Sequence, residues 1–259
     1  MASTEEGRAL TEANRRAQIA LGARAQAETR LLWDLLDVND LDGSRTAWLA
    51  AMQNLVRQGM AESAEQAEQY VQRHALAELG RSIEVRRPPL VTGQAMQDLE
   101  ILGPVSIKQR IAAGDIPAAA HEAALTRVRQ AAMRAVLDAG RDLTNETVRY
   151  SGSSGRWRRV TDGEPCAFCA MLAGRGPVYA EDTVQFRSHG GCGCSSEIVY
   201  GDWQPTELEA AWRASYMQAA MDADDVDARR VAPKPGFEED NILWRMRRNA
   251  PALFSDGVG

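Results

Sequence analysis

Apolar positions recur at three- and four-residue intervals through much of residues 9–143, and that spacing predicts helices. Residues 9–36 read as one long helix, in which Leu10, Ala17 and Leu21 lead to Leu31, Leu32, Leu35 and Leu36. Residues 37–43 break it, and a second helix is expected from about 44 to 59. A third is expected over 63–79, opened by a Ser63-x-x-Gln66 capping box and stopped by Gly80. Three helices with short connections suggest an antiparallel helical region. Pro88, Pro89, Gly93 and Gly103 mark residues 86–103 as a connector. Beyond it, Leu125, Val128, Ala132, Val136, Ala139 and Leu143 form a buried stripe on an Ala-rich helix over 118–143.

The texture then changes. Ser151-Gly152-Ser153-Ser154-Gly155 has the composition of a hinge. Arg156 to Val160 and Glu197 to Tyr200 are strand candidates that bracket a Cys-bearing segment, which predicts a hairpin-like unit. Thr206 and Glu209 form another capping box and open a helix to about Asp222. The charged tail, with Pro233, Pro235 and Gly236, reads as extended or partly disordered apart from a short segment at Ile242 to Arg248. The fold class expected is α+β and mostly helical, with a small α+β unit after the helices.

Composition narrows the functional classes. The chain of 259 residues can bury a sizeable core, and its apolar share of 44% and charged share of 25% are those of a globular protein. A net charge of -6 argues against broad affinity for nucleic acid or anionic membrane. No run approaches the roughly 20 apolar residues that span a bilayer, no leader segment is visible, and a cytosolic, membrane-free life is expected.

All four Cys fall between residues 166 and 194, a clustering that in a reducing compartment points to a metal rather than to disulfides. The pattern is Cys166-x-x-Cys169, nineteen residues, then His189-x-x-Cys192-x-Cys194. A Cys-x-x-Cys turn aims two sulfurs at one ion, and a second pair across a hairpin completes the tetrahedron that zinc prefers. Five candidates compete for four places. Either Cys192 and Cys194 both bind with His189 behind them, or His189 and Cys192 form the knuckle and Cys194 is spare. Gly190, Gly191 and Gly193 let the backbone approach the ion. A fully ligated ion has no open position, so the expected zinc is structural.

The run Arg158-Arg159-Val160-x-x-Gly163-x-x-Cys166-x-Phe168-Cys169-x-x-Leu172, then Arg175-Gly176-Pro177-Val178-Tyr179, then His189-x-x-Cys192-x-Cys194, resembles the Mu F-like (MuF) head-morphogenesis proteins of tailed phages. It is closest to the actinobacterial version. The opening helices, with Leu10-Thr11-Glu12-Ala13 and Leu31-Leu32-Trp33-x-Leu35-Leu36-Asp37, have the same look, although only residues 158–194 are motif-specific. The family ending commonly has Pro and a polar residue between His and Cys and Arg before the last Cys, where this chain has Gly190, Gly191 and Gly193. The resemblance implies a minor capsid protein of the virion head, present in the host cytoplasm during assembly and associated with portal, major capsid or scaffold protein. The resemblance covers most of residues 9–200, and the division expected is a helical region and connector over 1–103, a MuF-like α+β domain over 104–222 and a tail over 223–259. Related proteins are often labelled capsid maturation proteases.

The residues give that label little support. His121-Glu122 begins a zinc-protease His-Glu-x-x-His but has Leu125 at its end. The other histidines are His74 and His189; Ser188 is the neighbour of His189 and would face away from it on a strand, leaving Ser195, Ser196 or a distant Ser as nucleophile candidates. A Ser-Lys dyad has Lys108 and Lys234 to draw on. A zinc-anchored nuclease would need a basic surface, for which alternation puts Arg156 and Arg158 on one face that could equally meet DNA phosphate or an acidic partner, although a solvated strand face is the favoured reading. The expectation is therefore a non-enzymatic protein, with the protease as its rival and the nuclease behind both.

Overall fold

The computed structural model describes residues 2–150, 155–178, 186, 188–224 and 238–257, with no side-chain placement for 223, 224 and 238–241. It is mostly helical with one two-stranded sheet, the expected α+β class. Among the described residues no helix is long and apolar enough to cross a membrane.

Helix α1, Glu5–Leu32, starts where the Thr4 hydroxyl accepts the Gly7 N–H, with Glu5 and Glu6 against its positive end. It passes through a 3-10 turn, Trp33–Leu35, before the expected break. The two short helices expected over 44–79 are one. Helix α2 is continuous over Leu41–Leu79, 39 residues, begun by Asp40 accepting from Gly43 and stopped by Gly80 at φ 66. Ser63 is no cap. It is fully buried inside α2, where its hydroxyl donates to Gln18 Oε1 at 2.9 Å and accepts the Gly140 N–H at 3.2 Å. Packing against two neighbouring helices outweighs the local capping preference of serine.

The connector is partly helical. Helix α3, Gly93–Glu100, runs through a kink at Gly103 and Pro104 into α4, Ser106–Ala112. Helix α5, Pro117–Tyr150, then returns along α1 and α2 to complete a three-helix bundle. Its predicted stripe holds: Leu125, Val128, Ala132, Val136, Ala139 and Leu143 are all buried.

Of the predicted hinge, residues 151–154 lie outside the described residues. Strand β1, Arg156–Val160, pairs antiparallel with β2, Ser195–Val199, in the register Trp157 to Ile198 and Arg159 to Ser196. Between them lies α6, Ala167–Gly174, which the sequence pattern does not predict. Helix α7, Glu207–Asp224, carries the predicted capping box: the Thr206 N–H donates to Glu209 Oε2 at 2.8 Å and the Glu209 N–H to Thr206 Oγ1 at 3.2 Å.

In the tail, the short segment set apart at Ile242 to Arg248 lies within a helix. Residues 225–237 lie outside the described residues, but α8, Glu238–Asn249, buries Leu243 and Met246 with Phe254 against Ala170, Met171 and Trp212 of α6 and α7. The Asp256 carboxylate accepts the Ala167 N–H at 2.8 Å, so the tail caps the helix that carries the first cysteine pair.

Candidate metal centre

Cys166 is the N-cap of α6 and Cys169 lies in its first turn, so the Cys-x-x-Cys spacing brings both to the start of one helix. His189, Cys192 and Cys194 come from the segment that leads into β2. A turn joins them: the Cys192 N–H bonds to the His189 carbonyl at 3.2 Å, with Gly191 at φ 79. Glycine is also required at 193, where a Cβ would come within 2.8 Å of Asp162 Oδ2, the carboxylate oxygen that accepts the Gly193 N–H.

The five candidate ligands fall in one cluster. The donor atoms form two groups that share Cys169: Cys166, Cys169 and His189, and Cys169, Cys192 and Cys194, each within 4.8 Å of one another. His189 Nε2 is 3.1 Å from Cys166 Sγ and 3.7 Å from Cys169 Sγ, and Cys169 Sγ is 3.7 Å from Cys192 Sγ. Bonds of about 2.3 Å in a tetrahedron set donor pairs roughly 3.8 Å apart. These separations are near that edge. The four cysteines are unbridged, so their sulfurs are available to a metal ion.

The protonation pattern also fits a cation. The Cys166 thiol is held down to about 4, first by its hydrogen bond with Cys169, and Cys192 is lowered by bonds with Cys169 and Cys194. Cys169 is raised by the neighbours it donates to. Cys194 is lowered by Cys169 but, under the Cys192 thiolate and burial, ends at about 12. His189 is raised to about 9, mainly by the Cys166 thiolate. A dication would displace the protons held by the thiols whose ionisation is raised. His189 Nδ1 lies 2.9 Å from the Gly190 carbonyl, which fixes the tautomer that turns Nε2 to the sulfurs.

A layer behind the ligands was missed in the sequence. Arg141 of α5, buried at 3% exposure, donates from Nη2 to the Cys192 carbonyl at 2.6 Å and from Nε to the Cys194 carbonyl at 2.9 Å, while Nη1 pairs with Asp138. Asp138 also accepts from Ser188 Oγ at 3.0 Å. Arg159 lies against Cys169, Cys192 and the ring of Phe186. One signal could have found Arg141: it interrupts a stripe of small and apolar residues, Leu137, Gly140, Thr144 and Val148, at helical spacing.

The predicted basic face is not formed. Arg156 is exposed, but Arg158 is buried and pairs with both Glu197 and Glu209. Both faces of the sheet are covered, so strand alternation does not sort solvent from core here. Glu197 further accepts from the Ala2 N–H at 2.9 Å and the Thr11 hydroxyl at 3.1 Å, and so ties the sheet to the start of the chain and to α1.

The catalytic candidates are placed as follows. His121 Nδ1 faces the Trp33 indole N–H and its Nε2 the Leu36 carbonyl, each at 3.3 Å, in a tie between helices. His74 is buried between Tyr70 and Tyr200, and neither of its ring nitrogens has a partner among the described residues. Ser195 is buried, and Ser196 Oγ lies 3.5 Å from Asn145 Oδ1. Lys108 pairs with Asp42, and Lys234 is outside the described residues.

The family model described as VG15 protein matches residues 5–219, which takes in the helical bundle and the whole cysteine cluster. No curated protein and no solved structure matches the chain.

Proposed function

The chain belongs to the VG15 protein family, a phage family, and on that premise we propose that it is a minor head protein whose α+β unit is stapled by one structural zinc ion. The observation that carries this reading is the gathering of four thiols and His189 in two groups of three that share Cys169, with His189 Nδ1 against a backbone carbonyl and Nε2 against sulfur. Sulfur and imidazole donors in this number suit zinc and fill its coordination shell. That leaves no position for a substrate, and among the described residues the hydrogen bonds of the His189 ring go to Cys166, Cys169 and the Gly190 carbonyl, not to a serine.

Cys166, Cys169, His189 and Cys192 supply the chain of close contacts and are the ligands proposed, with Cys194 beside Cys169 and Cys192. When bound, the ion supplies a crosslink between the start of α6 and the turn before β2. The head role rests on the phage family together with the MuF-like motif over residues 158–194. Its partners would be the portal, major capsid or scaffold protein, met in the host cytoplasm during assembly.

Co-expression with the portal, capsid and scaffold proteins of the same phage tests both halves. The chain should co-purify with assembling heads and leave those proteins uncut. Specific cleavage of capsid or scaffold that is lost in His189→Ala while the fold and metal content persist would replace this reading with the maturation protease.

A further inference from the structure

Arg159 is 1% exposed, yet a guanidinium holds its charge at every physiological pH. A buried charge is costly unless an opposite charge meets it. Its Nη1 donates to Cys169 Sγ at 3.5 Å and to Cys192 Sγ at 3.6 Å. The guanidinium carbon sits 3.8 Å from the centre of the Phe186 ring, which in turn stacks on Trp157 at 5.5 Å. The aromatic face therefore holds the cation against the sulfurs from the opposite side. Arg141 approaches the same ring at 4.8 Å, but its hydrogen bonds go to Asp138 and to two backbone carbonyls, not to sulfur.

Neutral thiols offer a buried guanidinium little, whereas thiolates on a metal offer a lasting negative charge. A dication with three thiolates and one imidazole carries a net charge of minus one. We infer that Arg159 is the fixed counter-ion of the metal centre, matching that single negative charge inside the protein. The inference rests on the zinc reading above. It makes Arg159 a positioning residue that acts through Cys169 and Cys192, and it gives the Phe186 ring the task of keeping the guanidinium in place.

The test is zinc affinity of the full chain, measured by competition with a chromogenic chelator at constant pH, for the wild type, Arg159→Met and Arg159→Lys. Met keeps the bulk and removes the charge, and should weaken binding about 10- to 100-fold, the usual loss when support behind a ligand is removed. Lys keeps the charge without the planar fork, and should lie much nearer the wild type. Helix content from far-ultraviolet circular dichroism checks that each variant folds. Wild-type affinity in Arg159→Met overturns the inference, as does an Arg159→Lys as weak as the Met variant, since a packing role would penalise both alike. Should Arg159→Met not fold, the Lys variant decides: retention within a few-fold supports the counter-ion, and a loss of about tenfold or more rejects it. A wild-type protein that binds no zinc overturns the zinc reading and this inference together. Zinc in the wild type with unchanged variants overturns only this one.

Discussion

Arg141 on α5 holds the Cys194 carbonyl through two hydrogen bonds, at 2.9 Å from Nε and 2.7 Å from Nη2. The cysteine segment is thus fastened to the helical bundle through its backbone, independently of what the sulfurs do. The same guanidinium takes the Cys192 carbonyl at 2.6 Å. Two of the cluster's cysteines have their main chain fixed by one side chain from another part of the fold.

Arg141→Ala would leave both carbonyls buried and unpaired. Charged hydrogen bonds of this kind are worth about 1.5–3 kcal/mol, so a loss of about 2–4 kcal/mol in urea-melt stability is expected. Arg141→Lys should recover little, because one ammonium cannot span both carbonyls in the fork geometry. A melt unchanged in Arg141→Ala would show that the carbonyls find other donors.

The ligand set predicts a graded response to substitution. Cys169 lies in both donor groups, so Cys169→Ser should abolish zinc binding, and Cys166→Ser and Cys192→Ser should come close to it. Cys194→Ser should retain about one zinc per chain by elemental analysis. If Cys194→Ser loses the ion while His189→Ala keeps it, the site is built from four sulfurs and the imidazole stands behind them.

Arg158, Glu197 and Glu209 form a buried triad between the sheet and α7. Removing the shared cation leaves two carboxylates facing each other away from water. Arg158→Met should therefore cost about 3–5 kcal/mol, well above what a surface arginine would. A cost under about 1 kcal/mol in chemical denaturation would place Arg158 on the solvated face that strand alternation suggests.

These residues mark where sequence reading stops. The α5 stripe, the Gly80 stop and the Thr206 and Glu209 box were legible, because each depends on spacing along one element, and the clustering of the five candidate ligands was legible from two short-range motifs. The continuity of α2 was not: Ser63 and Gln66 carry a genuine local signal, and only the arrival of Gln18 and Gly140 from other helices shows that Ser63 is an interior anchor. Arg158 and Arg159 look alike as a basic strand. Their burial depends on Glu209 and Phe186, 51 and 27 residues away, and no periodicity within the strand encodes it.

His74 gives a pH prediction. Burial lowers its imidazole below 6.5, although Glu197 and Glu78 pull the other way, and among the described residues its nitrogens have no partner. A folded-state value below the unfolded one means that the neutral form supports the fold above about pH 6.5 and that stability is lost as pH falls below it. His74→Phe keeps an aromatic between Tyr70 and Tyr200 and removes the proton site. Its stability should fall less between pH 7 and pH 5 than that of the wild type, in melts at a series of pH values. Parallel curves for the two proteins would mean that His74 does not titrate in that window.

Zinc removal should unfold part of the molecule and spare the rest. Binding of structural zinc is worth roughly 10–16 kcal/mol in apparent free energy, while a whole domain is stable by only about 5–15 kcal/mol. The segment from β1 through β2 therefore depends on the ion: its sheet has two strands, too few to be stable alone. Helices α1, α2 and α5 bury their own faces against one another, with Trp33, Trp48, Met52, Val136 and Leu137 almost wholly enclosed, and should persist. Trp157 reports on the boundary, since it is 4% exposed and stacked on Phe186 beside the cluster. Addition of a strong chelator should shift tryptophan emission to the red while most of the helical circular dichroism remains, and Trp157→Phe should remove much of that shift. Emission and helix signal that collapse together would show that the bundle and the metal-bearing unit fold as one cooperative body, held by the Arg141 clamp and the Glu197 network. If neither signal moves in protein that has lost its zinc, the ion contributes no folding energy and the structural role is wrong.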